Sequence, residues 1–499
     1  MRNSRWFLYG GAVLVALIIG FWDPVRVRAA RESVPRFTVD ASWPRPLPAP
    51  VGYDLYNWPG CGPEGCQNTP TPGGDDAAHR WVQGEVAGSC TDAAGNVYTF
   101  NRGWEVGAVV GGTLTGNQSG AVVGQDSSDF TSPAFNPDRA MPSPPIVGFD
   151  AAGRTFAGFG NPTNNPANGR SAYMPNGAHG CFVDYQGYLW VGGNADGIIQ
   201  KYNPATAASM GSKATAVMQL GTKDVCDSSA QPCSGTALNS SHNLLYLPPD
   251  VAVDPEVGPI SHTRGDIYVA DGYGNYRVVV FNSAGQYLGQ WGQSCGHNEN
   301  PDGTNACAPG TFGANGGGHP HCVVLGNDGL VYVCDRPNNR IQVFKKTCAV
   351  PSDTSVTPPT QPLCTPERVI YIDKFPEATM ANRNAILRSG TRACDMDFWP
   401  NNDTLGGLST GQRYIIDADL GNDNAWVIDR FSGTTVGALG SCGQGPCPGH
   451  NGGEFAFSHT LNVAPDNRSI YVAETITGRR IQKFVRTDDD DHDHDHDGR

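Results

Sequence analysis

Short apolar runs broken by polar turns fill most of the chain, and the clearest set spans Gly318–Phe344. Its first run begins at Cys322 and ends in the turn Asn327-Asp328-Gly329; a second begins at Leu330 and a third at Arg340. Runs of this kind, punctuated by Asn, Asp and Gly, read as antiparallel strands in series. Related sets recur at Val86–Gly103 with an outer hairpin at Pro145–Phe159, at His179–Tyr202, at Pro249–Gly292 and at His459–Phe484. A degenerate set surrounds Ala393–Pro400, Tyr414–Asp417 and Ala425–Ile428. Matching starts at 179, 249, 321 and 459 are 70, 72 and 138 residues apart, and the last interval leaves room for the degenerate unit. Six units of three or four strands predict an all-β fold, a six-bladed β-propeller, in which radial repetition protects the strand edges. A short run at Arg36–Asp40 is placed to complete the last blade and close the ring.

Composition agrees with a loop-rich β protein: Gly 64, Pro 38, and only 16% charged residues. The net charge is −14, but the seven aspartates between Asp488 and Asp497 supply half of it. The body is therefore mildly acidic, which argues against a nucleic-acid partner. Residues 487–499 read as a disordered acidic and histidine tail, 81–486 as the propeller, and 31–80 as a Pro/Gly-rich N-terminal segment. At the N-terminus, Arg2 and Arg5 precede an apolar run from Trp6 to Trp22 and then Val27-Arg28-Ala29-Ala30. Residues 1–30 thus read as an export signal or a membrane anchor, which puts the body in a periplasmic or extracellular space, with a membrane tether open. Fifteen cysteines fit that oxidising setting. Close pairs predict bridges at Cys61/Cys66, Cys226/Cys233, Cys295/Cys307, Cys348/Cys364 and Cys442/Cys447, leaving Cys90, Cys181, Cys322, Cys334 and Cys394 as buried thiols or one further bridge.

The repeat register picks out chemistry. His179, His321 and His459 each open a first strand, and each lies eight residues before the same turn position, at Gly187, Gly329 and Asn467. They belong to blades two, four and six. Alternate blades of a six-fold ring stand about 120° apart, so three side chains aimed at the axis would meet trigonally. Three imidazoles with an open position suit zinc or a similar divalent ion. A hairpin returns each second strand to the same mouth. Arg102 lies fifteen positions after Ala87 and Arg336 fifteen after His321, while Tyr273 follows the second strand of blade three. Two guanidiniums can clamp a carboxylate, and a tyrosine beside cations can act as a base. The bland alternatives are an ion-paired Arg336 and a packed turn tyrosine. His319 falls off the register of the axis and reads as supporting or structural.

Asp271-Gly272-Tyr273-Gly274-Asn275-Tyr276-Arg277-Val278 and Asp335-Arg336-Pro337-Asn338-Asn339-Arg340-Ile341-Gln342 look like NHL repeats. Their order resembles the lyase domain of peptidylglycine α-amidating enzymes. The similarity runs from about Gly84 to Phe484. The resemblance implies a propeller with zinc on three axial histidines, cleaving peptidyl-α-hydroxyglycine to an amide and glyoxylate. It implies His179 in Ala178-His179-Gly180, His321 in Pro320-His321-Cys322 and His459 in Ser458-His459-Thr460 as ligands, and Arg102, Tyr273 and Arg336 as substrate-site residues. Three positions depart from the family. Phe457 replaces a methionine, Gly274 replaces a cysteine, and Thr460 replaces an acidic calcium ligand, which leaves calcium in doubt.

The expectation is therefore an exported metal-dependent carbon–nitrogen lyase acting on a small-molecule or peptide substrate. Two alternatives stand beside it. One is a non-enzymatic NHL propeller that binds a protein partner through the loops at 104–144 and 295–318. The other is a lactonase-like, metal-dependent propeller hydrolase.

Overall fold

The computed structural model describes residues 34–45, 81–102, 141–160, 174–211, 214–299, 305–314, 317–352, 362–372, 392–400, 411–442, 447–476 and 478–487, with a few two-residue strands between them. The chain divides at Pro35 into two units, and the unit from Arg36 onward holds every blade. The expected signal or anchor, the tail and the 104–144 loop lie outside the described residues, apart from short strand pairs in that loop.

Six four-stranded antiparallel sheets make six blades. Blade one holds β2 (Val86–Thr91), β3 (Val97–Asn101), β4 (Ile146–Phe149) and β5 (Thr155–Phe159). Blade two holds β6 (Ala178–Val183), β7 (Leu189–Gly193), β8 (Ile198–Tyr202) and β9 (Met218–Gly221). Blade three comprises β10 (Asp250–Val253), β11 (Ile267–Asp271), β12 (Arg277–Phe281) and β13 (Tyr287–Trp291). Blade four comprises β14 (Val323–Leu325), β15 (Leu330–Asp335), β16 (Arg340–Lys345) and β17 (Arg368–Tyr371). Blade five contains β18 (Asp395–Trp399), β19 (Tyr414–Asp419), β20 (Asn424–Asp429) and β21 (Thr435–Ala438). Blade six contains β22 (Ser458–Val463), β23 (Ser469–Glu474) and β24 (Arg480–Thr487).

The fourth strand of blade six is β1 (Arg36–Val39), paired antiparallel with β24 from Arg36–Thr487 to Val39–Phe484. The first described strand of this unit thus closes the ring onto the last, as its sequence predicts. Without it β24 would present an open edge. Phe37 anchors the closure edge-on against Trp399, with ring centroids 5.8 Å apart.

The core lies between blades, because each sheet is apolar on both faces. One cluster joins Tyr98 and Phe100 of blade one to Leu189, Val191 and Tyr202 of blade two, and another joins Val278, Val280 and Trp291 to Val331, Val333 and Phe344. The inner strands carry backbone N–H groups facing the preceding blade, and acidic side chains of that blade cap several of them. Asp250 accepts from Val323 N at 2.9 Å, Asp395 from Leu461 N at 2.9 Å and Asp397 from Val463 N at 2.7 Å.

Six disulfides are present among the described residues. Four are the expected close pairs Cys226–Cys233, Cys295–Cys307, Cys348–Cys364 and Cys442–Cys447. Cys90–Cys181 ties the inner strands of blades one and two, and Cys322–Cys334 spans the first hairpin of blade four. Cys394 is the free, buried cysteine among the described residues, and the side chains of Cys61 and Cys66 lie outside them. This density of bridges points to an oxidising, exported setting. No helix among the described residues is long and apolar enough to cross a membrane.

Candidate metal centre

Two of the three histidines sit where the inner strand is irregular. The β6/β7 register shifts between Ala178 and Cys181, and the β22/β23 register shifts between Ser458 and Thr460. His321 lies two residues before the start of β14, with its N–H donated to Cys334 O at 2.8 Å. A bulge re-aims a side chain out of the sheet plane, and at His179 and His459 it turns the imidazole onto the axis, which His321 reaches from just ahead of its strand. Their centroids stand 4.6, 4.5 and 5.3 Å apart, with planes inclined by 67–82°. The candidate ligand atoms all lie within 4.8 Å of one another.

The intervening blades orient the rings. His179 Nδ1 contacts Pro249 O at 3.2 Å, His321 Nδ1 contacts Cys394 O at 2.5 Å, and His459 Nδ1 contacts Ala87 O at 2.8 Å. A carbonyl only accepts, so each Nδ1 carries the proton and each Nε2 keeps its lone pair. Blades two, four and six therefore supply imidazoles, while blades three, five and one supply the carbonyls that set their tautomers. Gly88 lets blades one and two approach closely enough for this, since a Cβ there would stand 2.0 Å from His179 O.

All three rings are held neutral. Burial lowers His179 well below the usual imidazole range, helped by the neighbouring His459 and His321 and by Arg102. Burial and Arg336 do the same at His321. His459 is lowered to about 3 by burial and Arg102. Neutral Nε2 donors at this spacing fit a divalent ion, so the triad is able to hold a metal.

Tyr273, Arg102 and Arg336 gather at the same mouth. The Tyr273 hydroxyl lies 3.2 Å from His179 Nε2 and 3.1 Å from His321 Nε2. Its turn needs glycine on both sides, because a Cβ at Gly272 would meet Pro320 O at 1.9 Å and one at Gly274 would meet the Tyr246 ring at 2.2 Å. Buried ion pairs brace the turns: Arg277 Nε donates to Asp271 at 2.9 Å and Arg340 Nε donates to Asp335 at 2.7 Å. Arg102 donates Nε to Ala178 O at 2.7 Å and Nη1 to Glu85 at 3.2 Å, while its buried Nη2 has no partner among the described residues. The Arg336 guanidinium lies 5.3 Å from the Tyr273 ring centroid and donates to Gly317 O at 2.8 Å. His319 stays off the axis, stacked on Tyr276 with centroids 4.1 Å apart.

Beyond the imidazoles a cavity of about 420 Å³ follows the inner strands away from this mouth, lined by Asp250, Asp395 and Asp397 with Lys346 toward its far end. Burial raises Asp250 to about 7 and Asp397 to about 6. The axis is thus basic on one side of the triad and acidic on the other.

Glu85 and the three orienting carbonyls are not among the residues expected from the sequence. The signal was available in part, because Ala87 and Pro249 occupy the histidine register in their own blades.

Residues 318–344 match the NHL repeat family model. A 174-residue stretch, 35% of this chain, is 32% identical to mouse peptidyl-glycine alpha-amidating monooxygenase, and a 106-residue stretch is 35% identical to the B form of that enzyme from Xenopus laevis. These stretches cover 14% and 10% of the two relatives, so the chain spans a small fraction of their length. Among solved structures, virginiamycin B lyase from Staphylococcus aureus aligns over 80% of this chain and 94% of its own, at 10% identity and a TM-score of 0.38.

Proposed function

We propose that the protein is a metal-dependent lyase of the peptidylamidoglycolate type, cleaving the C–N bond of an α-hydroxyglycine-type substrate. The observation that carries this reading is the convergence of three neutral, carbonyl-oriented imidazoles with one tyrosine hydroxyl and two arginines at a single mouth. The partial similarity to amidating enzymes supports the same reading.

His179, His321 and His459 would hold the ion through Nε2, and a bound zinc would supply Lewis acidity toward a substrate oxygen. The neutral donor set suits zinc and other borderline divalent ions. The residues of the chain do the rest. Arg102 directs its Nη2 at the substrate carboxylate, and Arg336 neutralises the same group from blade four. Glu85 holds Arg102 in place through Nη1. The Tyr273 hydroxyl relays a proton as the C–N bond breaks: it accepts the proton of the substrate hydroxyl and gives its own to the amide nitrogen, which leaves with the electron pair of that bond. The products are an amide and an α-oxo acid. Chemistry belongs on the arginine side of the triad because the two guanidiniums there favour a carboxylate.

Incubation of purified protein with an α-hydroxyglycine compound tests the reading by release of glyoxylate. Release lost in Tyr273→Phe and Arg336→Ala supports it. A fully metal-loaded protein that releases none overturns it, and hydrolysis of a lactone by that same protein would favour a hydrolase instead.

A further inference from the structure

A second cluster of metal-ligating side chains lies away from the axis. Cys295, His297 and Cys307 bring two sulfurs and an imidazole nitrogen within 4.8 Å of one another. The sulfurs are joined as a disulfide; His297 Nε2 stands 3.4 Å from Cys295 Sγ and donates to Asn305 O at 3.1 Å, which leaves Nδ1, 3.7 Å from the same sulfur, with the ligating lone pair. Cys295 and His297 are partly exposed, whereas Cys307 is buried at 3% exposure. The surroundings are fixed independently of the bridge. Cys307 N donates to Glu299 at 3.0 Å, Glu299 pairs with buried Arg340 at 2.5 Å, and Cys295 N donates to Phe312 O at 2.7 Å. Opening the disulfide would therefore leave two thiols and the imidazole near their present places.

We propose that this cluster is a thiol-gated site for a soft metal cation, of the Cu(I) or Zn(II) class. A dithiol reductant attacks the accessible Cys295 sulfur, the S–S bond breaks, and the reductant leaves as its own disulfide while Cys295 and Cys307 become thiols. The cation displaces both thiol protons and binds two thiolates and His297, a donor set that favours soft and borderline ions. The axial triad offers nitrogen alone, so the two centres differ in the metals they prefer. The cluster also lies in the segment whose Gly317 carbonyl holds Arg336 and whose Gly313 N–H caps Asp335 at 3.1 Å. Loading would thus be felt at the mouth.

Cadmium reports thiolate ligation by an ultraviolet charge-transfer band that imidazole alone does not give. The full chain, reduced with a phosphine and titrated with Cd(II), should show this band in excess over Cys307→Ser treated identically, and His297→Ala should lose affinity for it. In the unmutated reduced chain, bound Cd(II) should shield Cys295 and Cys307 from alkylation, which keeps the test open if a variant misfolds. An equal band in Cys307→Ser, an unchanged affinity in His297→Ala, or alkylation of both cysteines at saturating Cd(II) would overturn the proposal. Persistence of the Cys295–Cys307 bridge after the phosphine has opened the Cys226–Cys233 bridge would overturn it as well.

Discussion

Gly88 shows how much of the centre depends on an absent atom. A methyl group there would press on the carbonyl of His179, 2.0 Å from its ideal position, and neither strand can retreat without shifting an imidazole. Gly88→Ala should cost about 1–3 kcal/mol in unfolding free energy, checked by denaturant titration. It should also weaken metal retention under chelator challenge. Asp250 gives a prediction with a definite sign. Its folded pKa, about 7, lies above the unfolded value, so its carboxyl destabilises the fold above pH 7, and this is relieved as pH falls toward 4. Asp250→Asn keeps an acceptor for Val323 N but cannot ionise. Relative to wild type, the variant should therefore gain in Tm at pH 8 compared with pH 5; a difference independent of pH would contradict the assignment.

The blade strands and their order were legible in the sequence because each blade repeats the same alternation of apolar run and turn. The closing role of Arg36–Val39 was legible for the same reason: a last blade short of one strand needs one from elsewhere. Removing residues through Val39 should expose β24 and strip Phe37 from Trp399. We expect a Tm lower by several degrees and increased aggregation on heating, read by light scattering. Close cysteine pairs were legible from spacing, but Cys90–Cys181 was not. Its partners are 91 residues apart and meet only because blades one and two are neighbours in the ring. Breaking it by Cys90→Ala with Cys181→Ala should cost about 2–5 kcal/mol, measured as a shift in denaturant midpoint.

At the scale of the whole molecule, the site is a property of ring closure. His459 of the last blade takes its orienting carbonyl from Ala87 of the first, so the triad is complete only when the seam is shut. The histidines themselves were legible, since their shared register with the turns survives in the bare sequence. Their supports were not, because a backbone carbonyl carries no side-chain signal and Glu85, which holds Arg102 within blade one, is itself fixed by Thr475 from across the seam. The polarity of the axis, arginines on one side and aspartates on the other, likewise arises from residues of blades one, three, four and five. The proposed chemistry at the mouth therefore requires the three imidazoles to act together as one metal centre. The direct measurement is metal content of purified protein and of His321→Ala by mass spectrometry. About one equivalent of divalent metal in the wild type, lost in the variant while the fold is kept, is the predicted result. No stoichiometric metal in either, or undiminished metal in His321→Ala, would contradict it.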